Sequence, residues 1–266
     1  MLRQRILTTI IGLPFLIAAI WFGTPWFSIL VAAMAAISGI EFYRMVEQKK
    51  IEPLTFAGII AILLLVASPH CSYSSIQPVL ISLIVVISLL WILFRYPREN
   101  SFNNWAWTIA GIFYIGWALS YWIELRILEA GREWVFWILL IIIASDIGAY
   151  FIGRTFGKRF IAPSISPKKT WEGSIGGFIC SIIIALVFGL VFSLPIVHWH
   201  MIVLGSIINI FTQLGDLVES LLKRNIGVKD SSNLIPGHGG VLDRIDSFIF
   251  TGIIAYYYIT TLILRG

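Results

Sequence analysis

Apolar runs of about 17 residues or more recur along the whole chain, and each is long enough to cross a hydrocarbon core of roughly 30 Å as a helix. A water-soluble fold could not solvate so much apolar surface. Of the 266 residues, 58% are hydrophobic and 12% charged, far from the roughly 25% charged fraction of a soluble domain. The expected fold is all-α, a polytopic membrane protein with about nine transmembrane helices, at about 6–22, 26–43, 54–68, 76–94, 105–123, 134–153, 173–194, 201–222 and 248–264. The third run is the weakest. Pro25, Pro53, Pro78 and Pro195 fall at or near run edges, where a missing N–H costs little, and Pro14 is expected to kink the first helix.

Charge fixes the expected orientation. With the N-terminus inside, sixteen of the nineteen Lys and Arg residues face the cytoplasm and only Arg126, Arg132 and Arg265 lie outside. That asymmetry supports an odd number of spans, with the C-terminus expected outside, in a bacterial-type cytoplasmic membrane. The net charge of +5 sits almost wholly in short gaps between apolar runs, so no nucleic-acid partner is expected. Arg3 and Arg5 before the first run resemble the start of a signal peptide, but no clean small-residue cleavage site follows, and the segment is expected to be retained. Cys71 and Cys180 offer neither a disulfide framework nor metal-ligand spacing. Trp21, Trp26, Trp105, Trp134 and Trp199 lie near run ends, where amphipathic rings suit the membrane interface.

By charge the chain divides into residues 1–133, with about five bland spans, and residues 134–266, which hold polar loops at 154–173 and 223–246. Asp146, Asp216, Glu219, Asp243 and Asp246 lie in or at the edge of the last four spans, all toward the expected cytoplasmic side. Carboxylates are costly in hydrocarbon, so such acids face a bundle interior or a wet cavity, either as structural ion pairs or as a functional path. Asp216 and Glu219 are three residues apart with Lys223 a turn further on, and Asp243 and Asp246 repeat the spacing. Oxygen ligands of this kind suit Mg2+, which binds one or two carboxylates plus substrate phosphates, with Mn2+ as a substitute and more than one cation allowed. Zinc is not expected, because only His238 lies near the acids.

Lys223, Arg224, Lys229 and Asp230 precede Pro236, Gly237, His238, Gly239 and Gly240, which run up to Asp243. Glycines there let the backbone approach a ligand and turn N–H groups toward an anion. Between basic residues and a carboxylate pair, the segment has the makings of a polyphosphate cradle. The other loop holds Arg154, Lys158, Arg159, Lys168 and Lys169 and reads SPKKTWEG from Ser166 to Gly173. Its basic residues alone need be no more than topogenic charge; Glu172 and Gly173 at the start of the next helix are what suggest a further use.

From Ser220 to Asp246 the chain reads SLLKRNIGVKDSSNLIPGHGGVLDRID, which resembles the signature of the phosphatidate cytidylyltransferase (CDP-diacylglycerol synthase) family. Ser220, Lys223, Arg224, Lys229, Asp230, His238, Gly239, Gly240, Asp243, Arg244 and Asp246 stand at its fixed positions. The SPKKTWEG loop and SDIGAYFIGRTFG from Ser145 to Gly157 are similar to the family too, so the resemblance covers about the last 120 residues. It implies a reaction of CTP with phosphatidic acid giving CDP-diacylglycerol and pyrophosphate, in a homodimer among membrane lipids. It also implies roles: Asp216, Asp243, Asp246 and Glu219 as metal ligands, Lys223, Arg224, Lys229 and Arg244 on phosphates, and Lys168 and Lys169 on the lipid phosphate or over the nucleotide. His238 would orient a phosphate oxygen or the glycine loop, with Ser220, Asp230, Gly237, Gly239 and Gly240 completing the substrate site.

The rival readings are a cation- or proton-coupled transporter, whose acids should spread through the membrane depth, and another lipid or polyprenol phosphate-transferring enzyme. Only Asp146 lies well inside a run, and the DGxxAR motif of CDP-alcohol phosphotransferases is absent. The orientation itself is testable in a variant lacking Cys71 and Cys180: a cysteine at position 230 should label from the cytoplasmic side, and labelling from the outer side alone would overturn the topology.

Overall fold

The computed structural model describes residues 2–71, 73, 76–94, 100–235 and 239–264, with side chains from residue 12 onward. Among them, helical rods stand where the apolar runs predict them. They are α1 (Leu2–Phe22), α2 (Trp26–Glu47), α3 (Thr55–Ala67), α4 (Ile76–Phe94) and α5 (Ser101–Gly111), which passes through a π-helical turn into α6 (Ala118–Ile127). After these come α7 (Gly131–Phe156), α8 (Trp171–Val191), α9 (His198–Ile226) and α10 (Leu242–Tyr258), the last extended by a π-helical turn. Among the described residues, seven rods are long and apolar enough to cross a membrane, and the chain is an integral membrane protein. The weak third run is short for a physical reason: α3 has 13 residues, about 20 Å at the α-helical rise, and Pro53 and Pro69 bracket it.

The chain forms two compact units, residues 1–124 with 225–245 and residues 125–224 with 246–266. In the first, α3 is held from within: Ile62 and Leu65 are fully buried, and a Cβ at Gly116 would lie 2.8 Å from the Ile62 Cα. Tyr43 of α2 lays its ring against Gly58 and Gly111 and donates its hydroxyl proton to the Thr108 carbonyl at 2.9 Å. Placing a tyrosine across two glycines joins α2, α3 and α5 while giving its one polar atom a partner.

In the second unit, α7 and α8 pack backbone to backbone. A Cβ on Gly173 would fall 2.7 Å from the Ala149 carbonyl oxygen, and one on Gly177 would fall 2.7 Å from that of Ser145. Small residues do this work in membranes because lipid supplies no hydrophobic drive between helices and close packing must replace it. Trp137 donates to the Ala185 carbonyl at 2.8 Å. A polar seam then ties in α9: Asn209 donates to the hydroxyls of Ser145 and Ser181 at 2.6 and 3.3 Å, and Gln213 donates to Asn209 Oδ1 at 2.9 Å.

The loop between α7 and α8 folds into a small antiparallel hairpin, β1 (Phe160–Ala162) and β2 (Ser166–Thr170), pairing Phe160 with Thr170 and Ala162 with Ser166. This adds two short strands to the all-α expectation. Pro163 presets the turn, closed by Ile165 N–H donating to the Ala162 carbonyl at 3.1 Å. Pro167 is tolerated because a two-stranded sheet is all edge. Thr170 then caps α8, its hydroxyl accepting from Gly173 N–H.

Gly177→Leu tests the α7–α8 contact. With no room for the side chain, the expected loss is about 1–3 kcal/mol or more, seen as a lower midpoint of thermal unfolding in detergent; an unchanged midpoint would mean the helices are not held this closely.

Candidate active site

The second unit holds a cavity of about 340 Å3 where the hairpin closes over α7, α8 and α9. Lys168, Lys169 and Thr170 come from β2, Asp146 and Tyr150 from α7, Ser174 from α8, and Gln213 and Asp216 from α9. The hairpin is fastened at its base: Glu172, in the first turn of α8, accepts from the backbone N–H groups of Lys158 and Arg159 at 3.1 and 3.2 Å. Glu172 and Gly173, the residues that suggested a use beyond topology, therefore have structural work, one anchoring the hairpin and the other letting α8 reach α7.

Inside the cavity Lys169 Nζ lies 2.8 Å from Asp216 Oδ2 and 3.3 Å from the Gln213 carbonyl oxygen. Ser220, a turn further along α9, donates to Asp216 Oδ1 at 3.3 Å. The Asp246 carboxylate lies within electrostatic reach of Asp216, Asp146 and Lys169. Helix α10 comes this near because Gly215 has no side chain; a Cβ there would stand 2.5 Å from the Asp246 carbonyl oxygen. Three acids and a lysine thus share one neighbourhood, with Lys168 exposed at its edge.

Lower on α9, Glu219 is fully buried and pairs with Lys223, whose Nζ lies 2.5 Å from Glu219 Oε2. A carboxylate there requires its counter-charge, so part of what Lys223 does is neutralise Glu219. Arg224 donates to the Ile165 carbonyl in the hairpin turn at 3.3 Å.

In the first unit, the 229–245 segment folds around Asp243. Its Oδ2 accepts from Ser231 N–H at 3.0 Å, Ser231 Oγ at 2.9 Å and Gly240 N–H at 2.8 Å. Gly239 has a φ of +83°, and a Cβ there would lie 2.6 Å from that same oxygen, so both its backbone and its surroundings require glycine. Lys229, Asp230 and Arg244 are exposed on this segment, while Gly237 and His238 lie outside the described residues. The structure thus gathers Lys168, Lys169, Asp216, Ser220 and Asp246 in the second unit, and Asp230, Gly239, Gly240 and Asp243 in the first.

Among the described residues, no three His, Cys, Asp or Glu side chains stand close enough together to form a ready metal site. The donor chemistry nonetheless suits Mg2+: Asp216 and Asp246 offer hard oxygen ligands, and such an ion needs only one or two carboxylates when phosphates and water complete its shell. Sequence reasoning missed Glu41, Asn209 and Gln213. Glu41 was open to discovery as an acid within the second apolar run; Asn209 and Gln213 were less so, since polar amides in a span do not announce their partners.

The cytidylyltransferase family model matches residues 3–262. The phosphatidate cytidylyltransferase of Bacillus subtilis is 36% identical over 263 residues, covering 96% of this chain and 97% of its own. That of Staphylococcus saprophyticus is 34% identical over 253 residues, covering 94% and 95%, and that of Synechocystis 32% over 293 residues, covering 98% and 97%.

Lys169→Met probes the acid neighbourhood. Removing the charge that Lys169 sets against Asp216 should lower the thermal midpoint by about 3 °C, the scale of a partly buried ion pair worth about 1 kcal/mol, and millimolar Mg2+ should restore part of it. No change in midpoint would show that the pair does not matter to the cavity.

Proposed function

The chain belongs to the cytidylyltransferase family, and from that premise we propose that it transfers CMP from CTP to phosphatidic acid, giving CDP-diacylglycerol and pyrophosphate in phospholipid biosynthesis. The observation that carries this reading is the cavity lined by Lys168 and Lys169 of the hairpin, where Lys169 pairs with Asp216 and Asp246 lies within electrostatic reach of both. Cations to hold phosphate and hard carboxylates to hold a divalent ion are what nucleotidyl transfer requires.

An oxygen of the lipid phosphate attacks the α-phosphorus of CTP. A new P–O bond forms, the bond from that phosphorus to the oxygen bridging to the β-phosphate breaks, and pyrophosphate leaves with both electrons. The nucleophile is already ionised at neutral pH, so no strong general base is needed. Lys168 and Lys169 hold the lipid phosphate and offset its charge as it approaches the anionic nucleotide. Lys229 and Arg244, exposed on the glycine-bearing segment, bind the nucleotide phosphates, with Arg224 and Lys223 contributing from the end of α9. Asp216 and Asp246 would hold Mg2+, or Mn2+ in its place, with Asp243 and Glu219 as the further acids where more than one cation binds. When bound, the metal neutralises the triphosphate and the departing pyrophosphate.

The membrane setting suits the two substrates, since phosphatidic acid stays in the bilayer while CTP arrives in water. The positive-inside distribution supports an N-terminus and active site on the cytoplasmic side of a bacterial cytoplasmic membrane, and the family resemblance supports a homodimer.

The test is an assay of detergent-solubilised protein with labelled CTP, in which labelled CDP-diacylglycerol should form only when phosphatidic acid is added. Asp246→Asn keeps size and one acceptor oxygen but loses the charge on which cation affinity depends. It should stay folded and lose at least about a hundredfold in activity, roughly 2.7 kcal/mol of transition-state stabilisation, with part recovered at high Mg2+ or Mn2+. A folded variant with near-native activity at limiting Mg2+ would remove Asp246 from the metal site, and no lipid-dependent product from the native chain would overturn the reaction.

A further inference from the structure

Glu41 lies on α2, far in sequence from every motif discussed above, and is 4% exposed. Both its oxygens are engaged, and all four donors come from the 229–245 segment. Oε1 accepts from Ser232 Oγ at 2.6 Å and Val241 N–H at 3.0 Å. Oε2 accepts from Leu242 N–H at 2.8 Å and Ser231 Oγ at 3.2 Å. Two of these donors precede the glycines, and two are N–H groups at the start of α10, where a helix has no carbonyls of its own to offer them.

Glu41 therefore ties residues 231 and 232 on one side to 241 and 242 on the other. The contact is tight: a Cβ on Gly240 would lie 2.5 Å from Glu41 Oε2 and would overlap Ser231 Oγ outright. Ser231 also links Glu41 to Asp243, for its single hydroxyl proton faces Glu41 Oε2 at 3.2 Å and Asp243 Oδ2 at 2.9 Å. A buried carboxylate with four donors is a stiff anchor, because each bond it loses leaves charge or a donor unsatisfied.

We infer that Glu41 is a positioning residue for catalysis, setting the conformation of the 229–245 segment and, through Ser231, the place of Asp243. The inference rests on the reaction proposed above. It gives the N-terminal helices a part in that reaction beyond anchoring the chain in the membrane. Loss of the anchor should therefore reach kcat, while capture of the lipid phosphate by Lys168 and Lys169 should be spared.

Glu41→Gln is the test, since the amide keeps the shape but replaces one acceptor oxygen with a donor that faces two other donors. Measured on folded, monodisperse protein, kcat should fall by about thirtyfold while KM for phosphatidic acid changes less than about threefold. Trypsin cleavage after Lys229 or Arg244 should speed up by about tenfold as the segment opens more often. A merely structural residue would lower the yield of folded protein and leave kcat per folded molecule unchanged; that result, with cleavage at the native rate, would overturn the inference. If Glu41→Gln does not fold, Ser232→Ala, which removes a single donor, decides the matter: kcat should drop about fivefold, and native kcat would refute the anchor. If the native chain forms no CDP-diacylglycerol, the proposed reaction fails, and the cleavage rates of the same variants still show whether Glu41 holds the segment.

Discussion

Carboxylates in a largely apolar bundle must be compensated where they stand, and the polar architecture of this protein follows from how each is. Asp216 has Lys169 and Ser220, Glu219 has Lys223, Asp243 has two N–H groups and a hydroxyl, and Glu41 has two N–H groups and two hydroxyls. Burying a charge costs several kcal/mol unless partners replace water. Each acid therefore dictates the conformation of the chain around it. In the second unit this draws the hairpin onto α9, and in the first it folds the 229–245 segment against α2.

The second structural device is the absence of side chains. Glycines at 173 and 177 let α8 lie against α7, and Gly215 lets α10 come up to α9 with Asp246 at the crossing. Close approach of α10 to α9 brings Asp246 within reach of Asp216. Without it the helices would stand further apart and the acids would feel one another less, since the interaction falls with distance.

Under the proposed reaction the hairpin lysines would take the phosphate of a bilayer-bound lipid, and Lys229 and Arg244, exposed on the glycine-bearing segment, the phosphates of a water-borne nucleotide.

The sequence by itself determined the membrane character, the helix positions and the kinds of residue in the site. Hydrophobic length and the spacing of Asp216, Glu219, Asp243 and Asp246 are local properties, carried by runs of a few dozen residues at most, and charge asymmetry is a plain count along the chain that needs no packing. Tertiary structure alone decided who partners whom. That Lys169 meets Asp216 across 47 positions, that Glu172 fastens a hairpin, and that Glu41 holds a segment about 190 residues away depend on packing between helices. Glu41 shows the limit most plainly: its sequence neighbours mark it only as an acid in an apolar run, because the four donors that give it meaning are brought to it by the fold.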